Sequence, residues 1–384
     1  MNGASRRTAA FLFARWLMTH EFPANLLPDG EDRAFIQDLV YTAIRHLRSL
    51  RLLIGKFVSK WPKGELEALL YIGACQIFFM DSVKDYAAVN ETVEAAKRCS
   101  NPNIPKVVNG VLRNMLRNRD ELIAELAKAP LEERESFPSA LIRRWTERFG
   151  EENAARLASW HNRPAITYLA KRTGEFVELE RGTRVENVEG FKEGEFIVQD
   201  PATSHAVALM EIEPGIDVLD ACAAPGGKSI QMAWRGASVT SCEINPKRRK
   251  RLIENVERLR LPIKIIEELP SSSSAAFSRV LADVPCSNTG VLGRRPDARW
   301  NWSGEKMLSL VKLQSQILDV CANLTKKDGI LVYSTCSNEP EENQKQIAAF
   351  LKRNGNFELI GEFESLPFET QYDGAFAASM RRIS

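Results

Sequence analysis

Between Gly215 and Thr335 the sequence switches repeatedly between two periods, and that switching leaves few folds open. Short β-prone runs, IDVLDA (216–221), SVTSCEI (238–244), IKII (263–266), RVLAD (279–283) and ILVYST (330–335), are separated by helical stretches such as KSIQMAWRG, NPKRRKRLIENVERLRL and MLSLVKLQSQILDVCANL. Alternation of this kind argues for a parallel sheet with helices on both faces. Such sheets bind ligands beyond the carboxyl ends of their strands. The chemistry-bearing residues fall there: Asp220 to Lys228, Glu243, Asp283 to Cys286, and Thr335-Cys336.

The first third has a different texture. In DRAFIQDLVYTAIRHLRSLRLLI, Phe35, Ile36, Leu39, Val40, Ala43, Ile44 and Leu47 recur at three and four residues, a helical period. LEALLYIGACQIFFM (66–80) is apolar all round, which suits the central helix of a bundle and is too short to span a bilayer. After the NPNIP break (101–105), Val107, Val108, Val111, Leu112, Met115 and Leu116 resume a helical period. The opposite face carries Lys106, Arg113, Arg117 and Arg119, either a solvated face or a grip on phosphates. APLEERESFP (129–138) reads as a boundary, SALIRRWTERFGEENAARLASW as two amphipathic helices split at Gly150, and 166–200 as a small α+β segment broken by glycines.

Bulk properties exclude more than they select. The 384 residues are 44% hydrophobic and 27% charged with a formal net charge of +2, so any basic surface must be local. Arg6 and Arg7 precede only a short apolar stretch, which is not a signal-peptide pattern. The seven cysteines contain no CxxC pair, and the four histidines are scattered. That leaves little room for a zinc cluster or a Ser-His triad, and reduced thiols point to a cytosolic chain.

Four strand ends carry the chemistry. In DACAAPGGKS (220–229), Gly226 and Gly227 let the backbone approach a ligand closely. The stretch fits neither GxGxxG nor GxxxxGK[ST], but with Glu243 ending the next strand it suits a nucleoside whose ribose hydroxyls the acid accepts. In LADVPCSNTGVLGRRPDARW (281–300), Asp283 precedes Cys286 by three residues with Pro285 stiffening the link. Arg294, Arg295, Arg299, Trp300 and Trp302 follow, a set that is either core or a phosphate-and-stacking surface for single-stranded nucleic acid. In YSTCSNEPEENQ (333–344), Cys336 lies between a strand and a helix-start pattern, with Asn338 and Glu341 spaced as a capping box. A helix N-terminus favours a thiolate, although Glu339, Glu341 and Glu342 compete with it, so the expected activation is modest. A lone cysteine would read as inert filling, but two on neighbouring strand ends read as chemistry.

Together these stretches resemble the Sun-type RNA cytosine-C5 methyltransferases. EDRAFIQDLVYTAIRHLRSL and YAAVNETVEAAKR resemble the NusB-like RNA-binding domain fused to the bacterial small-subunit (16S) rRNA methyltransferase B proteins, and the likeness runs from about residue 6 to the final GAFAASMRR. It implies an all-α NusB-like N-terminal domain (1–128), a helical linker with a small α+β segment (129–200), and an α/β Rossmann-like S-adenosylmethionine-dependent catalytic domain (201–384). It further implies Cys336 as the nucleophile on carbon 6 of cytosine and Cys286 as the group that helps remove the carbon-5 proton and release product. Asp283 would hold or protonate the base edge, and Lys228 would orient it. Cofactor contacts would come from Cys222, Ala223, Ala224, Pro225, Gly226, Gly227 and Lys228, with Glu243 and Asp283. The implied partner is 16S rRNA not yet assembled into the subunit, with no membrane and no metal, met by a monomer in the cytoplasm.

The chain departs from the family pattern in places. IIEELPSSSSAAFSRVLAD lacks the Gly-Asp usual after the third strand, so Glu267 or Glu268 would serve the adenine side, with Glu268 the choice. The Ser271–Ser274 run suggests a flexible loop, and Val284 stands where members commonly have Ala. Two rival readings are a DNA cytosine-C5 methyltransferase, which would attack through the Pro-Cys cysteine, and a non-catalytic RNA-binding or antitermination factor with a retired methyltransferase domain.

Overall fold

The computed structural model describes residues 3–21, 23–270 and 276–384. The serine run at 271–274 lies outside them. The chain forms two compact units, one of residues 1–163 and 292–301, the other of 164–291 and 302–384.

The first unit is helical. Its core is the helix Glu65–Phe79, buried continuously from Ala68 to Ile77 as its uniform apolarity requires. Around it pack Gly3–Thr19, Arg33–Arg45, Asp85–Ala96 and Ile104–Arg117. The long periodic stretch DRAFIQDLVYTAIRHLRSLRLLI is two helices, because the chain breaks at His46 (φ −104°, ψ 26°) between Arg33–Arg45 and Leu47–Gly55. The His46 ring lies flat on Phe79 at 3.7 Å, and burial pushes its ionisation well below the usual histidine value. Ser139–Asn162 is kinked at Gly150, whose φ of 81° suits a residue without Cβ.

Residues 129–163 belong to this unit and not to a linker. Arg48 donates to the Phe137 carbonyl and to Ser139 Oγ, both at 2.9 Å, and Ser49 Oγ donates to the Glu133 carbonyl at 2.7 Å. The segment 292–301 also belongs here. Arg299 is fully buried, donates to the carbonyls of Arg45, Ser136 and His161 and to Asn162 Oδ1, and lies 3.8 Å over the Phe137 ring. Trp300 Nε1 donates to the Ile44 carbonyl at 2.7 Å. The core alternative thus holds for Arg299 and Trp300, which are not part of a stacking surface for RNA. Helix Ile104–Arg117 leaves Lys106, Arg113 and Arg117 exposed, while Arg119 pairs with Asp85 at 3.1 Å.

The second unit begins with a small antiparallel sheet in the order β2-β1-β3, from β1 (Thr167–Lys171), β2 (Phe176–Leu179) and β3 (Phe196–Val198). The larger sheet uses β4 (Asp217–Asp220), β5 (Ser238–Cys242), β6 (Lys264–Ile266), β7 (Phe277–Asp283), β8 (Thr325–Thr335), β9 (Phe357–Ser365) and β10 (Ala375–Arg382). Among the described residues its order is β6-β5-β4-β7-β8-β10-β9. The five strands read from the sequence are its parallel part, and β10 and β9 add an antiparallel edge that the sequence reading did not separate. Neighbouring strand residues face opposite cores. Val218, Leu281, Val332 and Ala377 enter one, and Leu219, Val280, Leu331 and Ala378 the other, so both faces are covered. Strand order reverses between β4 and β7, which makes their carboxyl ends the expected ligand crevice.

Candidate active site

The β4 end is built around buried oxygens. Asp220 accepts from Ser229 Oγ at 2.6 Å, and Ser241 Oγ of β5 donates to Ser229 Oγ at 2.8 Å. Burial pushes the Asp220 carboxyl up to about 6. The loop 221–226 is pinned by the Ala223 amide on the Cys242 carbonyl (2.9 Å) and the Gly226 amide on the Ala223 carbonyl (2.7 Å), and its Ala224–Pro225 peptide is cis. Gly226 precedes helix Gly227–Trp234 with φ 108°, and a Cβ there would come 2.8 Å from Leu252 Cδ1. At the β5 end Glu243 is 3% exposed. Its Oε1 accepts from the Asn245 amide at 2.9 Å, whereas Oε2 meets Arg248 Nε at a looser 3.5 Å. Past β6, Glu267 pairs with Arg249 at 3.0 Å, and Glu268 is exposed.

The β7 and β8 ends lie side by side because the two strands pair in parallel, Asp283 opposite Ser334. Lys228 Nζ meets Asp283 Oδ2 at 2.7 Å, and Ser334 Oγ donates to Asp283 Oδ1 at 2.6 Å. Burial opposes the Lys228 charge, but Asp283 outweighs it and the ammonium is raised. Beyond these strands Cys286 Sγ and Cys336 Sγ are 3.2 Å apart, and both thiols are free. Cys336 Sγ also lies 3.3 Å from Asn288 Oδ1. Cys286 is pushed well above the ordinary thiol value, first by its hydrogen bond with Cys336, then by burial, then by the negative charges of Cys336 and Glu342.

The loops bearing the thiols are stitched by backbone. The Gly290 amide donates to the Cys336 carbonyl at 3.0 Å, and the Gly374 amide to the Gly290 carbonyl at 2.8 Å. The approach needs glycine on both sides. A Cβ on Gly290 would lie 2.4 Å from the Gly374 oxygen, and one on Gly374 would lie 2.6 Å from Gly290 Cα.

The structure thus brings Lys228, Asp283, Cys286 and Cys336 to one end of the sheet, and Cys222 to Gly227 with Glu243 to the adjoining strand ends. The capping box does not form. Asn338 is engaged across the loop, its amide donating to Thr289 Oγ1 at 2.9 Å, and Glu341 pairs with Lys345 at 3.0 Å. The helix begins only at Gln344, so no helix N-terminus sits at Cys336. Sequence reading also missed Asn288, Ser334 and Glu342 as site residues. The nearest signal was the density of polar residues in CSNTG and CSNEPEEN.

Comparisons with known proteins decide the family. The profile described as 16S rRNA methyltransferase RsmB/F matches residues 207–380, and that of the NusB family matches 4–117. The ribosomal RNA small subunit methyltransferase B of Cronobacter sakazakii is 33% identical over 390 residues, covering 91% of this chain and 90% of its own. The chain belongs to this family. The protein of the same description from Escherichia coli O1:K1 is 32% identical over 405 residues, with 93% and 94% covered. Among solved structures, PH0851 superposes with a TM-score of 0.80 at 19% identity over 100% of this chain and 99% of its own. NSun6 from Pyrococcus horikoshii, solved with SFG, superposes at 0.58 and 15% identity over 65% and 99%. These likenesses carry the fold. As a member of the family the chain is an rRNA methyltransferase that takes its methyl group from S-adenosylmethionine. Among the described residues no helix is long and apolar enough to cross a membrane.

Proposed function

We propose that the protein methylates carbon 5 of a cytosine in 16S rRNA through a covalent adduct on Cys336. The observation that carries this reading is the pair of free thiols 3.2 Å apart, next to the Lys228–Asp283 pair, at the ends of two adjacent parallel strands. Carbon 5 of cytosine is a poor nucleophile, and a thiolate added to carbon 6 makes it an enamine carbon. Cys336 forms the S–C6 bond while the ring nitrogen N3 takes up a proton, with Asp283 holding or protonating that edge and Lys228 orienting the ring. S-adenosylmethionine, held by the 222–228 loop and Glu243, would supply the electrophilic methyl group that carbon 5 takes. Cys286, ionised once Cys336 is bonded to carbon, then takes the proton from carbon 5, N3 gives up the proton it took, the S–C6 bond breaks, and Cys336 leaves as the thiolate.

The residues around the β4 and β5 ends fit that cofactor. Glu243 is buried with one carboxylate oxygen lightly engaged, as a ribose diol requires, and the 222–228 loop offers backbone at the Gly226–Gly227 turn. Asp283 lies at the reacting side. Pairing of Glu267 with Arg249 leaves Glu268 for the adenine edge.

The helical unit supplies RNA affinity through Lys106, Arg113 and Arg117. The target base must leave its stack to reach the thiols, which favours rRNA loops not yet folded into a subunit, met in the cytoplasm by a monomer. Bisulfite mapping of 16S rRNA from cells with and without the protein tests the reading. One cytosine should lose its methyl group in the deletion strain. An unchanged 5-methylcytosine map would refute it.

A further inference from the structure

Glu342 lies behind the thiols and has no part in the chemistry above. It is fully buried, and its carboxylate accepts four hydrogen bonds. The Ser287 amide and Gln314 Nε2 reach Oε1, each at 2.9 Å, and Ser287 Oγ and Ser337 Oγ reach Oε2, each at 2.5 Å. Ser287 directly follows Cys286, and Ser337 directly follows Cys336. One carboxylate therefore holds the residue after each thiol.

Glu342's own backbone is fixed too, its carbonyl accepting from Tyr333 Oη at 2.6 Å. Its neighbour Asn343 brackets Cys336 from both sides, accepting from Thr335 Oγ1 and donating to the Ser337 carbonyl, both at 2.7 Å.

We propose that Glu342 is a positioning residue that locks the Cys286 loop to the Cys336 loop and so fixes the division of labour between the two thiols. The proposal rests on the cytosine-C5 reading. A buried carboxylate is expensive unless its lone pairs are met, and here all four donors come from neutral groups. A neutral side chain could bridge two loops at less desolvation cost, so the charge itself has a use. It opposes ionisation of Cys286, which keeps a proton on that thiol while Cys336 faces the substrate. Once Cys336 is bonded to carbon, its own opposing charge is gone, so Cys286 can release its proton to solvent, and the thiolate so formed, whose proton affinity Glu342 keeps high, accepts the proton from carbon 5.

The test uses the full-length enzyme and Glu342→Gln, which keeps shape and one acceptor oxygen. Methyl transfer to rRNA should fall about 10²-fold in kcat with KM for RNA nearly unchanged, as expected for a misplaced reacting group. Phenylarsine oxide, which needs two close thiols, should bind at least about tenfold more weakly if the sulfurs separate. In a Cys336→Ala background, alkylation of Cys286 by iodoacetamide should shift to lower pH when Glu342→Gln is added, because a charge opposing the thiolate has been removed. Ser287→Ala should lower kcat in the same direction by a smaller factor, and it reads the clamp independently should Glu342→Gln fold poorly. Wild-type kcat and arsenical affinity in these variants would overturn the proposal. Failure of the underlying reading looks different: Cys336→Ala alone would still methylate RNA.

Discussion

Two groups of arginines in the helical unit read alike in the sequence and end in opposite surroundings. Arg113 and Arg117 stand on the outer face of helix Ile104–Arg117, hydrogen-bonded to near neighbours such as Asn109 and Asn114. Arg299 is enclosed, with neutral oxygens from Arg45, Ser136, His161 and Asn162 as its acceptors. Burial lowers its ionisation well below the ordinary arginine value. The difference shows that a cation's role depends on what surrounds it: one set stands open to solvent on a helix face, and the other holds three chain segments together.

Substitution should separate these roles. Arg299→Met leaves several buried carbonyls without their donor at about 1–3 kcal/mol each, so the helical unit should lose on the order of 3 kcal/mol. That corresponds to roughly 6–12 °C in Tm for a unit of this size. Calorimetry on the full chain checks it, and a Tm within a degree of wild type would place Arg299 outside the core. The double variant Arg113→Ala/Arg117→Ala should leave Tm unchanged. Its rRNA affinity should fall, and the slope of log K against log salt should shrink by about 2, nearly one unit per lost phosphate contact. If salt dependence stays at the wild-type slope, the exposed face is only solvated and the comparison loses its functional half.

How much was legible follows from where the information lies. The parallel strands announce themselves because both faces are buried, which forces apolar runs such as ILVYST. The β9 strand, FELIGEFES, mixes exposed glutamates with few buried positions, a weaker signal, and β10 was seen only as part of the terminal GAFAASMRR. The two cysteines were legible as a pair because they follow adjacent strands. Arg299 and Glu342 were not, since most of their partners come from positions far away in sequence. Within PEEN, Glu341 pairs locally with Lys345, whereas Glu342 turns inward to Ser287, Ser337 and Gln314, and nothing in the run distinguishes the two. The capping-box expectation failed for the same reason, because Thr289, 49 residues away, engages the Asn338 amide and competes with a local cap.

On this mechanism the two thiols 3.2 Å apart do different work. A denaturing gel of Cys336→Ala and Cys286→Ala, each incubated with target rRNA and S-adenosylmethionine, tests it directly. If Cys336 attacks carbon 6 and Cys286 serves release, Cys286→Ala should accumulate an RNA–protein conjugate that survives denaturation, and Cys336→Ala should show none. A conjugate in Cys336→Ala that is missing from Cys286→Ala would contradict the assignment and move the nucleophile to the Pro-Cys cysteine.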